Sequence, residues 1–282
     1  MARSKGIHAH RVFKLGKSPA KRDRRNLMLA TILKALPPIP KEYDFDLRHP
    51  DTHVRKRYLR RRVIAGRAHQ TLRFELIEQG AEIKIRDRDV LREYLRETGG
   101  VDSGLVVLDS LKAWRKVGWR AARHPYRIAA FAEIHRSDHD EVKAAICLLT
   151  GAGVGLALPR SAQPQIQMGK VWDVVSGPNG KPNSWGGHYV YCCGYTKSGP
   201  VCVTWGRKQQ MTWAFFERYA DEAYAIVDDV DKWRKGRPGI DVKKLAGFLN
   251  ALKWGASQKR SGGVQQSKPV NGTAVARARA NT

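Results

Sequence analysis

One histidine in the second half of the chain has neighbours that suit it for chemistry. His188 follows two glycines and begins a run of β-forming residues, and a second such run ends in Thr204, Trp205 and Gly206. The two runs predict a hairpin that holds an imidazole at the start of a strand, with an indole close by. An imidazole placed in this way can act as a general base or activate a thiol. A purely structural histidine fits the same pattern.

A thiol partner for this histidine is hard to find among the four cysteines. Nothing in the sequence indicates export, so Cys147, Cys192, Cys193 and Cys202 are expected to be reduced. Cys147 lies beside the apolar stripe of a predicted helix, which favours a small core residue. Cys193 and Cys202 could face each other across the hairpin. Cys192 shares a strand face with His188, but four residues along a strand span about 13 Å, which is too far for a nucleophile.

The elements that must position these groups divide into a helical half followed by a strand-rich half. Apolar residues at helical spacing predict helices over Val63–Gln79, Asp89–Thr98 and Ser103–Gly118. Further strands and helices surround the hairpin, with a short helix beginning at Thr212. This order predicts an α+β fold of two subdomains, a helical N-terminal half and an antiparallel β-rich C-terminal half, with a cleft between them.

The whole pattern resembles the papain-like cysteine peptidases, and most of all a divergent branch found in phage and bacterial genomes. The resemblance covers about Leu36 to Val227. It rests on the following stretches: Leu36–Pro40, Val63–Gly66, Leu108–Gly118, Gly187–His188, Thr204–Gly206 and Met211–Val227. The resemblance implies that a peptide or protein, as substrate or ligand, occupies the cleft.

The resemblance also assigns the catalytic positions, and one of them carries the wrong chemistry. The nucleophile position falls on Arg62, the oxyanion-side position on Lys56, and the orienting position on Val203, with Thr204 the nearest polar residue. Arg62 precedes His188 by 126 residues (188 − 62), which suits the spacing of a papain-type pair. Arginine stays protonated and has no lone pair with which to attack a carbonyl. The chain as written is therefore predicted to be an inactive homologue, with His188, Thr204 and the Arg62 position as its degraded site.

The arginine-rich stretch before Val63 has a second explanation. Permitted codons for Val54 to Arg62, read one base later, encode Tyr-Gly-Asn-Asp-Thr-Tyr-Gly-Asp, which is the kind of sequence that precedes the cysteine in this branch. We therefore hold the hypothesis that roughly Leu47 to Arg62 are translated out of frame, through a natural lesion or a sequence error. The nucleotide sequence of the gene decides this question.

Composition adds a different class of function. The chain of 282 residues carries a formal net charge of +26, which predicts attraction to polyanions. A non-enzymatic basic module that binds nucleic acid or an acidic partner is therefore an alternative, as is a phage structural protein. Because aromatic residues do not interleave with the charges, a solvated basic surface explains the composition as well.

The same features set the expected organisation and location. We expect a mobile basic arm over residues 1–35, a papain-like domain over 36–231 and a basic, mostly disordered tail over 232–282. No apolar run could span a bilayer and no secretory signal is present, so a cytoplasmic or phage-associated location is expected. Phosphate-binding and dinucleotide motifs are absent and the paired histidines lack further ligands, so neither a cofactor nor a metal is expected.

Overall fold

The computed structural model of the protein describes residues 13–33, 38–48, 62–80, 82–121, 124–228 and 243–247. The helices in chain order are α1 (Leu29–Ile32), α2 (Phe45–Arg48), α3 (Arg62–Phe74), α4 (Asp87–Glu97), α5 (Val107–Lys116), α6 (His139–Leu148), α7 (Ala162–Gln167) and α8 (Trp213–Tyr219). A π-helical segment, Glu75–Gln79, continues α3. Within these ranges, none of the helices combines the length and apolar character that crossing a membrane requires.

The strands form one large sheet and one small hairpin. They are β1 (Leu27–Met28), β2 (Tyr43–Asp44), β3 (Trp119–Ala121), β4 (His124–Tyr126), β5 (Ile128–Glu133), β6 (Ala152–Leu158), β7 (Gly186–Thr196), β8 (Gly199–Thr204), β9 (Arg207–Gln210) and β10 (Ala220–Asp228). The large sheet has the order β1-β5-β10-β6-β7-β8-β9, with β2 added to β7, and β3 pairs with β4 alone. Only the β1–β5 pair is parallel among these strands. The predicted α+β class is confirmed.

Apolar side chains on the two faces of the large sheet build two separate cores. Val154, Val190 and Phe215 belong to the core on the face that α6 and α8 cover. Tyr189 and Trp114 belong to the core on the opposite face, which α3, α4 and α5 cover. The alternation of neighbouring residues 189 and 190 between the two cores is the period-2 pattern of a strand buried on both sides.

The helix α3 lies directly on β7, and two contacts fix its direction. A Cβ added to Gly66 would lie 2.6 Å from the ring of Tyr189, so glycine permits this close approach. Two turns later, the Arg73 guanidinium lies 5.2 Å from the centre of the Tyr191 ring. The helix and the strand therefore run in the same direction, and the beginning of α3 lies at the beginning of β7.

Three local predictions differ from the structure. The alternating stretch at residues 43–47 is predicted to be a strand, but α2 begins at Phe45 because Asp44 Oδ1 accepts hydrogen bonds from the backbone amides of Asp46 and Leu47, at 2.9 and 3.3 Å. The helix predicted for residues 26–36 is reduced to α1, preceded by β1. Of the basic helix predicted at residues 240–254, the described residues 243–247 are helical and the others lie outside the described part.

Arg67 also departs from expectation. The charge density around it predicts an exposed side chain, yet it is 1% exposed. Its guanidinium donates to Ser110 Oγ at 2.8 Å and forms ion pairs with Glu93 and Glu97 of α4. The carboxylates lie about thirty residues further along the chain, so the compensation for burying this charge comes from tertiary structure.

Candidate functional site

The predicted histidine lies at the start of β7, next to the predicted threonine. His188 is 3% exposed, and its Nε2 is hydrogen-bonded to Thr204 Oγ1 at 2.7 Å. The register of the hairpin explains this pairing, because Tyr191 is opposite Val203. Val203 therefore shares the Tyr191 face, while the next residue, Thr204, shares the face of His188. The structure thus brings these two predicted residues together and directs Val203 away from the imidazole.

An indole covers the same imidazole. The rings of Trp205 and His188 stack with centroids 4.1 Å apart and planes 10° apart. Trp205 and Gly206 form the two-residue turn between β8 and β9, with φ values of 40° and 77°. Positive φ at both positions is the geometry of a tight hairpin turn that matches strand twist. The turn therefore holds the indole over the ring and screens the His188–Thr204 hydrogen bond from water.

Burial determines the charge state of this histidine. Desolvation lowers the pKa of His188 to about 3, because the protonated ring is poorly solvated in the interior. The imidazole is therefore neutral at ordinary pH. Among the described residues, its Nδ1 has no hydrogen-bond partner. The site thus presents a neutral, oriented ring with one nitrogen directed away from Thr204.

The third predicted position begins the helix that packs on this strand. Arg62 is the first residue of α3, and the beginning of α3 lies at the His188 end of β7. The side chain of Arg62 and the whole of residues 49–61, including Lys56, lie outside the described part. The backbone therefore brings position 62 to the same end of the sheet as the imidazole.

The hairpin cysteines do not lie where the sequence suggests. Cys202 pairs in register with Cys192, not with Cys193. Cys193 lies at an irregularity of the ladder and joins Tyr191 and Val203 in a third small cluster on the other face. The prediction that Cys193 and Cys202 face each other is therefore wrong, because a bulge shifts the register by one residue.

These thiols are also chemically quiet. Burial raises the pKa of all three hairpin cysteines, and that of Cys193 rises to about 11. Burial likewise raises the pKa of Cys147. Since the thiolate is the nucleophilic form, none of the four cysteines is poised to react at neutral pH.

Residues 13–18, which we call the cleft segment, lie between the helical half and the sheet. The amides of Gly16 and Lys17 both donate to the carbonyl of Gly187, at 3.3 and 3.1 Å. On the other side, the Leu105 amide donates to the Gly16 carbonyl at 3.0 Å, and the Ser18 amide donates to the Leu105 carbonyl at 2.9 Å. The sequence predicts a mobile arm here, but the structure holds an extended chain beside His188.

Glycines shape the walls that receive this segment. A Cβ at Gly187 would lie 2.2 Å from the Lys17 carbonyl oxygen, and one at Gly186 would lie 2.7 Å from Leu15 Cδ1. A Cβ at Gly104, on the helical side, would meet Ser18 Oγ at 3.2 Å. Both walls therefore lack side chains where a main chain lies against them.

The cleft segment also reaches the aromatic cover of the site. Phe13 lies 5.0 Å from Trp205, ring centre to ring centre, and the Trp205 indole donates to the Lys14 carbonyl at 2.9 Å. The Lys17 side chain enters the interior and contacts Asp221 and Glu222. Sequence reasoning missed these contacts, because Lys17 is one of many basic residues and its acidic partners lie about two hundred residues away.

The arrangement matches solved cysteine proteases in fold. Xylellain, a cysteine protease from Xylella fastidiosa, superposes with a TM-score of 0.58 at 17% identity, covering 80% of this chain and 100% of that one. Procathepsin B S9 from Trypanosoma congolense gives 0.56 at 11% identity, covering 76% and 86% of the two chains. Comparison of the sequence with protein-family profiles and with curated proteins gives no match. The chain therefore has the papain-like cysteine protease fold.

Proposed function

We propose that this chain is a papain-like peptidase homologue that binds an extended peptide in the cleft beside His188 and does not hydrolyse it. The observation that supports binding is the cleft segment itself. Leu105 on one wall and Gly187 on the other already hydrogen-bond the main chain of residues 16–18. A peptide that takes the place of this segment finds the same donors and acceptors, which recognise any extended backbone.

The proposed inactivity rests on the residue type at position 62. Hydrolysis of the cysteine-protease kind needs a nucleophile next to the imidazole, and the thiolate form of cysteine supplies it. Arginine at the head of α3 has no electron pair to offer, and a guanidinium near His188 further disfavours an imidazolium. The buried thiols of the hairpin offer no substitute, since their raised pKa values keep them protonated.

Two variants test the inactivity. The unaltered chain, treated with a thiol-directed peptide epoxide, is expected to carry no label that depends on His188. Arg62→Cys, with the upstream Asn-Asp…Gly-Asp stretch restored, is expected to gain such a label, and Arg62→Ser in the same background serves as the control. Labelling of the unaltered chain that disappears in His188→Ala would refute the inactivity. Sequencing codons 44–64 of the gene decides whether Arg62 is native or a frame error.

Hydrogen–deuterium exchange tests the binding. A saturating extended peptide is expected to raise deuterium uptake in residues 13–20, because it displaces the cleft segment. Uptake at residues 104–106 should stay low, because the peptide replaces the hydrogen bonds of Leu105. Unchanged uptake in residues 13–20 with a panel of peptides would contradict peptide binding in this cleft.

A second candidate function has one specific observation in its favour. From Ser110 to Ala132 the chain has six basic residues and no carboxylate. Three of these residues are exposed and form no ion pair with any described residue: Lys116, Arg120 and Arg127. We infer that this stretch, from the end of α5 through the β3–β4 hairpin, supplies a surface for a polyanion such as nucleic acid.

A further inference from the structure

The side chain of Lys17 occupies a closed acidic slot at the edge of the cleft. The lysine side chain is 1% exposed, and its Nζ lies 2.7 Å from Asp221 Oδ2 and 3.1 Å from Glu222 Oε1. The same ammonium donates to the Ser18 carbonyl at 3.2 Å. The Glu222 side chain is 4% exposed and that of Asp221 is 31% exposed. One carboxylate therefore lies inside the slot and the other lies at its rim.

Gly155 of β6 keeps this slot open. A Cβ at this position would lie 2.3 Å from Lys17 Cε and 2.6 Å from Glu222 Cγ, so any larger residue would fill the space. In the sheet, Gly155 pairs with Tyr189, and the next residue of β6 pairs with His188. The slot thus begins one residue step from the imidazole, on the side where the main chain of the cleft segment passes.

The slot discriminates between side chains by charge. A buried carboxylate without a counter-charge is costly, and burying an ammonium is costly unless carboxylates surround it. A neutral chain of the same length would leave Glu222 unpaired, and an acidic one would add repulsion. A lysine side chain, in contrast, satisfies both carboxylates, as Lys17 does. Gly16 has no side chain, and Ser18 is only partly buried.

We propose that the slot of Gly155, Asp221 and Glu222 determines the specificity of the cleft and receives the lysine side chain of a bound peptide. This inference rests on the proposed peptide-binding function and adds the class of ligand. A peptide that replaces the cleft segment along Gly187 and Leu105 places one side chain where that of Lys17 now lies. The preferred ligand is therefore an extended peptide with small residues on either side of a lysine.

The test uses the full chain with Lys17→Met, which removes the resident ammonium but keeps the length of the side chain. Two fluorescent peptides copy residues 15–20, one with lysine and one with norleucine at the third position. We expect the lysine peptide to bind at least tenfold more tightly by fluorescence anisotropy. Adding Glu222→Gln should abolish this preference, and adding the matched control Glu217→Gln, an exposed carboxylate on α8, should leave it unchanged.

The outcomes separate the two levels of the proposal. Equal binding of the two peptides would overturn the lysine slot and leave peptide binding intact. Binding of neither peptide would overturn the proposed function and this inference with it. Exchange measurements on the unaltered chain give the same answer if Lys17→Met fails to fold. There, the lysine peptide and not the norleucine peptide should raise deuterium uptake in residues 13–20, and equal effects of the two would again exclude the slot.

Discussion

The imidazole of His188 and the hydroxyl of Thr204 lie 2.7 Å apart under the indole of Trp205. The threonine holds the ring through Nε2, so Nδ1 is the nitrogen that remains for another group. A hydroxyl replaces the side-chain amide that the resemblance to papain-like peptidases leads one to expect two residues before the tryptophan. Orientation of the imidazole is therefore retained in a chain whose nucleophile position carries arginine.

The first prediction concerns this hydrogen bond. Thr204→Val keeps the shape of the side chain but leaves a buried ring nitrogen without its partner, which costs about 1–3 kcal/mol. Thr204→Ser should retain most of the stability because the hydroxyl remains. Urea unfolding of the three proteins measures the difference. Equal midpoints and slopes for Thr204→Val and the unaltered chain would show that the hydrogen bond contributes nothing.

The second prediction concerns pH. The pKa of His188 in the folded chain, about 3, lies below its ordinary value of 6.5, so the unfolded chain binds a proton more readily. The free energy of unfolding should therefore rise with pH between about 3 and 6.5, and the contribution of His188 is lost as the solution becomes more acidic. Each unit of pKa difference is worth about 1.4 kcal/mol.

His188→Gln supplies the comparison for this experiment, because glutamine does not titrate. Its free energy of unfolding, measured at intervals from pH 4 to pH 7, should change less with pH than that of the unaltered chain. Parallel curves for the two proteins would contradict a buried neutral histidine.

The third prediction reverses an ordinary rule. A glycine inside a helix is usually less stable than alanine by roughly 0.5–1 kcal/mol. At Gly66 the new methyl group would lie 2.6 Å from the buried Tyr189 ring, so Gly66→Ala should lower the midpoint of thermal unfolding. Gly247, which has open space around it in the helical residues 243–247, is the control. A midpoint raised by Gly66→Ala would mean that α3 does not rest on β7 as described.

The fourth prediction tests the polyanion surface. Reversing the three exposed charges of the stretch after α5 should weaken binding to a DNA duplex and flatten its dependence on salt by about one unit of slope per lost phosphate contact. The test variant is Lys116→Glu, Arg120→Glu and Arg127→Glu combined.

A control of equal charge keeps this experiment specific. It combines three exposed lysines on other elements: Lys170→Glu, Lys181→Glu and Lys197→Glu. Equal loss of binding in the two triple variants would indicate net charge alone, and the surface would then have no special role.

Much of the fold follows from local sequence signals. The alternation that begins at His188 and the turn at Trp205–Gly206 define β7 and β8, and the apolar stripe from Val63 predicts α3. Thr212 caps α8 as expected, since its hydroxyl accepts a hydrogen bond from the Phe215 amide at 3.0 Å. These features depend on neighbours within a few residues, so the sequence displays them directly.

The buried charges could not be predicted in this way. Arg73 is fully buried against Asp46, and Lys17 is buried against Asp221 and Glu222. A charged residue is normally assigned to the surface unless its partner is known, and these partners are brought near only by the tertiary fold. The position of Cys193 depends on a bulge that local periodicity does not reveal.

The attachment of the cleft segment to the rest of the chain has a further consequence. A covalently tethered occupant competes at an effective concentration that can reach the millimolar range, however dilute the protein is. A free peptide with the same contacts would then bind only at comparable concentrations. Cutting the chain between residues 20 and 26 would remove this advantage and let the severed fragment diffuse away, so a single cleavage could change the apparent affinity of the cleft by orders of magnitude without altering its walls.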